Sequence, residues 1–266
     1  QFLLGHDMPW AKQGYPQFEE QLLVASPSVV APAISQVAEN AGKLEVSADA
    51  DKAFQTIKGE GFEVQFDMKQ GTINKLVYGG ESVIVPGYGP RLNAFRAFVS
   101  NDNWCYQPWF ANGLHNLKHH AENAQVIKEK NGNVKITCTV VSQAPNAARL
   151  QSKNGRYDSG IHTLEENTDR PFGADDFKFT TNQIWTIYPD GSIELQAAIT
   201  SNNPGIVLAR LGYEMGVPAQ YDRFAYYGRG PVDNYNDRKT GQFIEQFSST
   251  VAEQFTNWPK PMQMGS

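Results

Sequence analysis

Phe62 to Tyr78 reads FEVQFDMKQGTINKLVY, and its first five residues alternate apolar and polar without a break. Such a period of two is what a strand with one buried face requires. Asp67 to Gly71 supplies a turn, Thr72 to Tyr78 resumes the strand, and Gly79-Gly80 closes the unit. The same signal recurs along the chain. Asn131-Gly132 precedes the β-branched run Val134 to Val141. Phe177 to Tyr188 is a long strand, which Pro189-Asp190-Gly191 turns into Ser192 to Thr200, the clearest hairpin of the sequence. Leu208 to Val217 and Phe224 to Tyr227 add further strands. One short helix is expected over Pro108 to His120. An all-β, antiparallel fold follows.

The chain has 266 residues, 40% hydrophobic and 12% aromatic, so material for a sizeable core is present. Its net charge of −5 argues against a nucleic-acid binder, which should carry a basic face. No run of 18 apolar residues exists, so no membrane-spanning helix is expected. QFLLGHDMPWAK at the start lacks the basic and apolar regions of a signal peptide and reads as the middle of a larger protein. Cys105 and Cys138 fit neither CxxC nor a zinc spacing. Two buried free thiols is the expectation, with a disulfide the alternative, and cysteine usage leaves the compartment open.

Three segments interrupt the strands. Ser26 to Asp51 is rich in Ala, Ser, Val and Pro and reads as a linker or crossover. Gln143 to Asp176 is a long polar stretch and reads as a loop. Thr256 to Ser266 ends on Pro and Gly without completing a strand.

Chemical motifs are few. His115 and His119 in HNLKHH would share a helix face at a spacing able to bind zinc, but Asn116 stands where a metalloprotease needs Glu. A solvated or core-edge histidine cluster is the expectation. Asp49-Ala50-Asp51 loosely resembles a calcium loop, with Phe54 where Gly is required. Gly59-Glu60-Gly61 leads into a strand and is no dinucleotide loop, and no GxSxG elbow occurs. No metal or cofactor is expected in this chain, and no spacing marks a catalytic carboxylate pair.

Two segments carry more. Asn101-Asp102-Asn103-Trp104 leads into Tyr106, Trp109 and Phe110. Aromatic rings beside amides and carboxylates suit a sugar, whose C–H faces stack while its hydroxyls are hydrogen-bonded. The competing reading is an aromatic plug at the edge of a β-sandwich core. Tyr226 to Arg238, YYGRGPVDNYNDR, surrounds a rigid Gly-Pro turn with charges. A network of Arg229, Asp233 and Asp237, together with Tyr235 and Arg238, is expected to pin it.

These residues resemble a known family. Gly89-Pro90-Arg91-Leu92-Asn93-Ala94-Phe95-Arg96-Ala97, then Asn101-Asp102-Asn103, is similar to the G-P-x-L-N-x-W/F-R-A-P-x-D-N-D segment of bacterial β-galactosidases of glycoside hydrolase family 2. Gly228-Arg229-Gly230-Pro231, Asn234-Tyr235 and Asp237-Arg238 resemble the family's G-R-G-P-x-E-x-Y-x-D-R signature. Phe62 to Tyr78 resembles the opening of its small-chain domain, and His6 to Ala11 the end of the preceding immunoglobulin-like domain. The chain departs from the pattern at Phe98, Ser100 and Asp233, where the family has Pro, Asp and Glu.

The resemblance implies a large antiparallel supersandwich of the galactose-mutarotase kind, preceded by the last strands of an immunoglobulin-like sandwich. It divides the chain into a tail at 1–25, a linker at 26–53 and a small-chain domain at 54–266, truncated at its C-terminus and with an insertion at 143–176. It places the two catalytic glutamates on an upstream TIM barrel of the same polypeptide, so no catalytic residue is expected here. Asp102, Asn103 and Trp104 are the implied contacts to a β-galactoside or related glycan at the rim of the cleft. A homo-oligomeric bacterial parent, cytoplasmic or periplasmic, is compatible with it. The alternative is a stand-alone carbohydrate-binding or mutarotase-like module, for which His162 and the HNLKHH cluster supply the candidate bases.

Overall fold

The computed structural model describes residues 1–22, 24, 42–152, 162–232, 234 and 239–255. These form two compact units, one of residues 1–24 with 221–255 and one of 42–220.

In the first unit, β1 (Phe2–Leu3) pairs with β2 (Pro16–Phe18). The second unit holds most of the strands. β3 (Glu45–Ala48), β4 (Phe54–Gly59), β5 (Phe62–Asp67), β6 (Thr72–Tyr78) and β7 (Glu81–Ser82) make a five-stranded antiparallel sheet in chain order. β8 (Arg91–Asn93) follows, and then α1 (Tyr106–Ala111). β9 (Lys118–Lys128) and β10 (Val134–Gln143) precede a hairpin of β11 (Asn146–Ser152) and β12 (His162–Pro171). β13 (Phe179–Ile187) and β14 (Ile193–Ser201) complete a four-stranded sheet of order β14-β13-β10-β9, and β15 (Gly212–Glu214) pairs with β8. Back in the first unit, β16 (Arg223–Gly230) and β17 (Phe243–Thr250) form a hairpin.

The two large sheets enclose one core, so the second unit is an all-β sandwich. Phe62, Val64 and Phe66 of β5 are buried, as alternation demands. They meet Val134, Ile136, Cys138 and Val140 of β10 and Trp185 and Ile187 of β13. Phe66 and Trp185 pack edge to face at 5.7 Å between ring centroids. A turn at Gly71 closes the β5–β6 hairpin in the left-handed region, φ 70°, with Val140 directly over it. A second cluster of Leu92, Ala94, Trp109, Leu114, Phe177 and Phe179 lies beneath α1.

Several expectations require correction. The helix is not Pro108 to His120 but Tyr106–Ala111. Pro108 sits in its first turn, where no N–H is needed, and Gly113 ends it at φ 69°. A short 3₁₀ turn at Leu114–Asn116 then leads into β9, so His119 and His120 are on a strand and share no helix face with His115. Gln143 to Asp176 is not a loop, because the β11–β12 hairpin occupies most of it; its tip lies outside the described residues. That hairpin was hidden because β12 is exposed almost throughout, so it has no apolar period to read. Glu165 instead links it to Arg149 and Gln151 of β11, at 2.9 and 2.7 Å. Leu208 to Val217 contributes only the three residues of β15.

A candidate carbohydrate-facing loop

Between β8 and α1 the chain runs through an irregular loop, Ala94 to Cys105, that an ion pair fixes. Arg96 grips both carboxylate oxygens of Asp102, Nη1 to Oδ2 at 2.6 Å and Nη2 to Oδ1 at 3.1 Å. The Val99 N–H donates to the same Oδ2 at 2.8 Å, and Arg96 Nη1 also donates to the Ala97 carbonyl. Backbone bonds from Asp102 N–H to Val99 and from Cys105 N–H to the Asp102 carbonyl close two successive turns. Both partners of the pair are mostly buried, so this is a fork-to-fork contact with little solvent competition.

Aromatic packing anchors the loop from below. Trp109 is 1% exposed, donates its indole N–H to the Val207 carbonyl at 2.7 Å, and carries the Arg96 guanidinium over its ring at 5.8 Å. Phe98 stacks on Tyr106 at 4.4 Å and meets the edge of His162. Asn93 accepts the Phe95 N–H and bonds Glu214, joining the loop's root to β15.

The residues expected at a sugar site thus divide. Asp102 is buried and its carboxylate is committed to Arg96 and Val99. Asn103 and Trp104 stand on the surface, with Trp104 75% exposed. Trp109 is core, as the competing reading had it, whereas Trp104 is not. An exposed indole next to the amides of Asn101 and Asn103, on a loop held by a buried ion pair, offers a flat apolar face and hydrogen-bonding groups in fixed positions.

The histidines have structural surroundings. His115 lies between Phe95 and Phe110, with burial lowering its basicity and Glu166 opposing that. His119 Nδ1 is 2.8 Å from Ser142 Oγ, and burial, with Arg91 and Lys118 nearby, pushes its pKa down to about 4. No group of three or more metal-ligating side chains occurs among the described residues. Cys105 and Cys138 are buried free thiols, the latter raised by burial to about 11 and therefore unreactive.

Sequence reasoning missed a polar cluster inside the sandwich. Gln183 accepts from the Trp185 indole at 2.8 Å and donates to the Tyr213 hydroxyl at 3.0 Å, while the Cys138 thiol lies 3.6 Å from its carbonyl oxygen. Thr181, Gln183 and Trp185 share the buried face of β13. Polar residues in the inward phase of a strand were the available signal.

In the first unit, Arg229 Nη1 donates to the carbonyls of Lys239 and Gln242, at 3.2 and 2.9 Å, and so draws together the base of the β16–β17 loop. Asn234 donates back to the Arg229 carbonyl. Asp233, Tyr235, Asp237 and Arg238, expected partners in this network, lie outside the described residues.

These features define an all-β sandwich with an ion-paired loop that presents an exposed tryptophan. Residues 58–266 match the β-galactosidase small-chain family, and the chain belongs to that family. Among characterised proteins it is similar to a β-galactosidase of Priestia megaterium, 23% identical over 263 residues, covering 99% of this chain and 22% of the relative. A β-galactosidase of Psychromonas ingrahamii is 25% identical over 278 residues, covering 100% of this chain and 24% of the relative. One from Kluyveromyces lactis is 20% identical over 264 residues, covering 98% and 22%. The chain therefore spans less than a quarter of the length of these relatives.

Proposed function

We propose that this chain is the non-catalytic part of a retaining β-galactosidase, scaffolding the enzyme and lending the 101–104 turn to the rim of its galactoside cleft. The carrying observation is Trp104, exposed on a loop whose neighbouring carboxylate is locked by Arg96. Family membership supports the galactoside as ligand class. Asp102 acts as a positioning residue in this reading, while Asn103 and Trp104 are the contacts. Retaining hydrolysis needs two carboxyl groups about 5–5.5 Å apart across a sugar pocket. The resemblance assigns those to a TIM-barrel domain elsewhere in the same polypeptide.

The test is Trp104→Ala in the full-length enzyme, assayed on a nitrophenyl galactoside and on lactose. A rim contact predicts a raised KM with the fold unperturbed; an unchanged KM for both substrates rejects it. Glycan binding by this chain alone, measured by calorimetry, would instead support the stand-alone module.

A further inference from the structure

Between the two sheets, behind the root of the candidate loop, lies a cavity of about 10 Å³ lined by Thr72, Arg91, His119, Ser142, Thr181 and Gln183 among others. Thr181 is 1% exposed, yet its hydroxyl meets no hydrogen-bond partner among the described residues. Buried hydroxyls are almost always paired, because leaving one unpaired forfeits the full desolvation penalty. Beside Leu92 and Val140, the lining offers polar neighbours. Ser142 is fully buried and lies 2.8 Å from His119 through its hydroxyl. Thr72 gives its own proton to the Pro90 carbonyl at 2.6 Å, so its oxygen retains lone pairs.

We infer that this cavity is the binding site of one structural water molecule, held by the Thr181 hydroxyl and shared with the polar groups around it. The volume is that of a single water, about 10–15 Å³ being the minimum needed, and an apolar cavity of the same size would stay dry. A cation is disfavoured because the cationic residue Arg91 is part of the lining and no carboxylate residue is. An anion of halide size or larger exceeds the space. The placement has a consequence. Thr181 belongs to β13 and Ser142 to β10, whereas Thr72 and Arg91 come from β6 and β8. One water there would join both sheets to the strand that continues directly into Ala94 to Trp104, fixing the loop's root from inside.

The test is a crystal structure of the full-length protein at a resolution that shows ordered solvent, with a second crystal soaked in bromide and a third in caesium. The expected result is one spherical peak within hydrogen-bonding distance of Thr181 Oγ1 and no anomalous signal there in either soak. Absence of the peak, with Thr181 and Ser142 themselves well ordered, overturns the inference, as does an anomalous bromide or caesium peak. The isosteric Thr181→Val adds an independent arm. It should abolish the peak and leave Ser142 and His119 in place, and a peak persisting undiminished in that variant would show that Thr181 does not hold it. Should that variant fail to fold, the wild-type crystals decide alone.

Discussion

Arg96 and Asp102 form a bidentate, mostly buried ion pair that turns an irregular loop into a fixed one. Its acidic half lies one residue from the exposed turn it supports, so the pair sets the position of Asn103 and Trp104 without itself facing solvent. Removing Asp102 leaves the Arg96 charge buried and the Val99 N–H unpaired. Asp102→Ala should therefore lower stability by about 3–5 kcal/mol, measured by urea unfolding. Asp102→Asn should lose less, because the amide oxygen still accepts. Equal losses in the two variants would mean that the charge matters and the hydrogen bonds do not.

The two tryptophans of the segment should behave oppositely. Trp109→Ala empties a core site and should cost about 3–5 kcal/mol. Trp104→Ala removes an exposed ring and should stay within about 0.5 kcal/mol of the parent. Fluorescence gives a second reading: Trp104→Phe should remove a red-emitting component that acrylamide quenches. Loss of a blue, protected component instead would place Trp104 inside.

Gly89 opens the Gly-Pro-Arg-Leu-Asn segment for a steric reason. A Cβ there would lie 1.7 Å from the Ile73 carbonyl oxygen, an atom of β6 that cannot yield without disrupting the sheet. Gly89→Ala should destabilise by about 3 kcal/mol, at the upper end of ordinary overpacking. A thermal midpoint unchanged from the parent would show that the β6–β8 approach relaxes freely.

Gln183 is a hub inside the sandwich, and replacing it with Leu preserves bulk while stranding one donor and one acceptor. The Trp185 indole N–H and Tyr213 hydroxyl would each lose their partner, at about 1–3 kcal/mol per stranded group. Gln183→Glu keeps an acceptor for Trp185 but buries a carboxyl, so it should be more stable in acid than at neutral pH relative to the parent.

What could be read from residue order, and what could not, follows from where the information lies. β5, β6, β10, β13 and β14 were legible because one face of each is apolar or because an Asp-Gly turn joins them. β9 and β12 were not, since their side chains are largely polar and exposed, and β11 was not, being short and without a regular apolar period; an ion pair, Arg149–Glu165, ties β11 to β12. At the candidate site the residue types of Asn101 to Trp109 announced a polar-aromatic surface, but not which tryptophan faces outward. That choice is made by tertiary contacts remote in sequence, the Trp109 bond to Val207 above all. The Arg96–Asp102 pair was likewise invisible, although both residues stand in the quoted motif.

His119 makes stability depend on pH in a predictable direction. Its pKa is about 4 in the folded chain and 6.5 for the free side chain, lowered chiefly by burial and then by Arg91 and Lys118. The ring faces Ser142 across the β9–β10 pair and shares the internal cavity with Arg91. Between those two pH values the unfolded chain binds a proton that the folded chain refuses. Stability attributable to His119 is thus fully present above pH 6.5 and is lost progressively as the pH falls towards 4. The full shift would be worth about 3 kcal/mol, and partial solvent contact of the ring reduces the expectation to about 1–2 kcal/mol. His115 is shifted in the same direction, so the measurement must be a difference. Unfolding free energies of the parent and His119→Asn, followed from pH 7 to pH 4, should converge at the acid end by that amount. Parallel curves across the whole range would show that His119 accepts its proton in the folded state as readily as in the unfolded one.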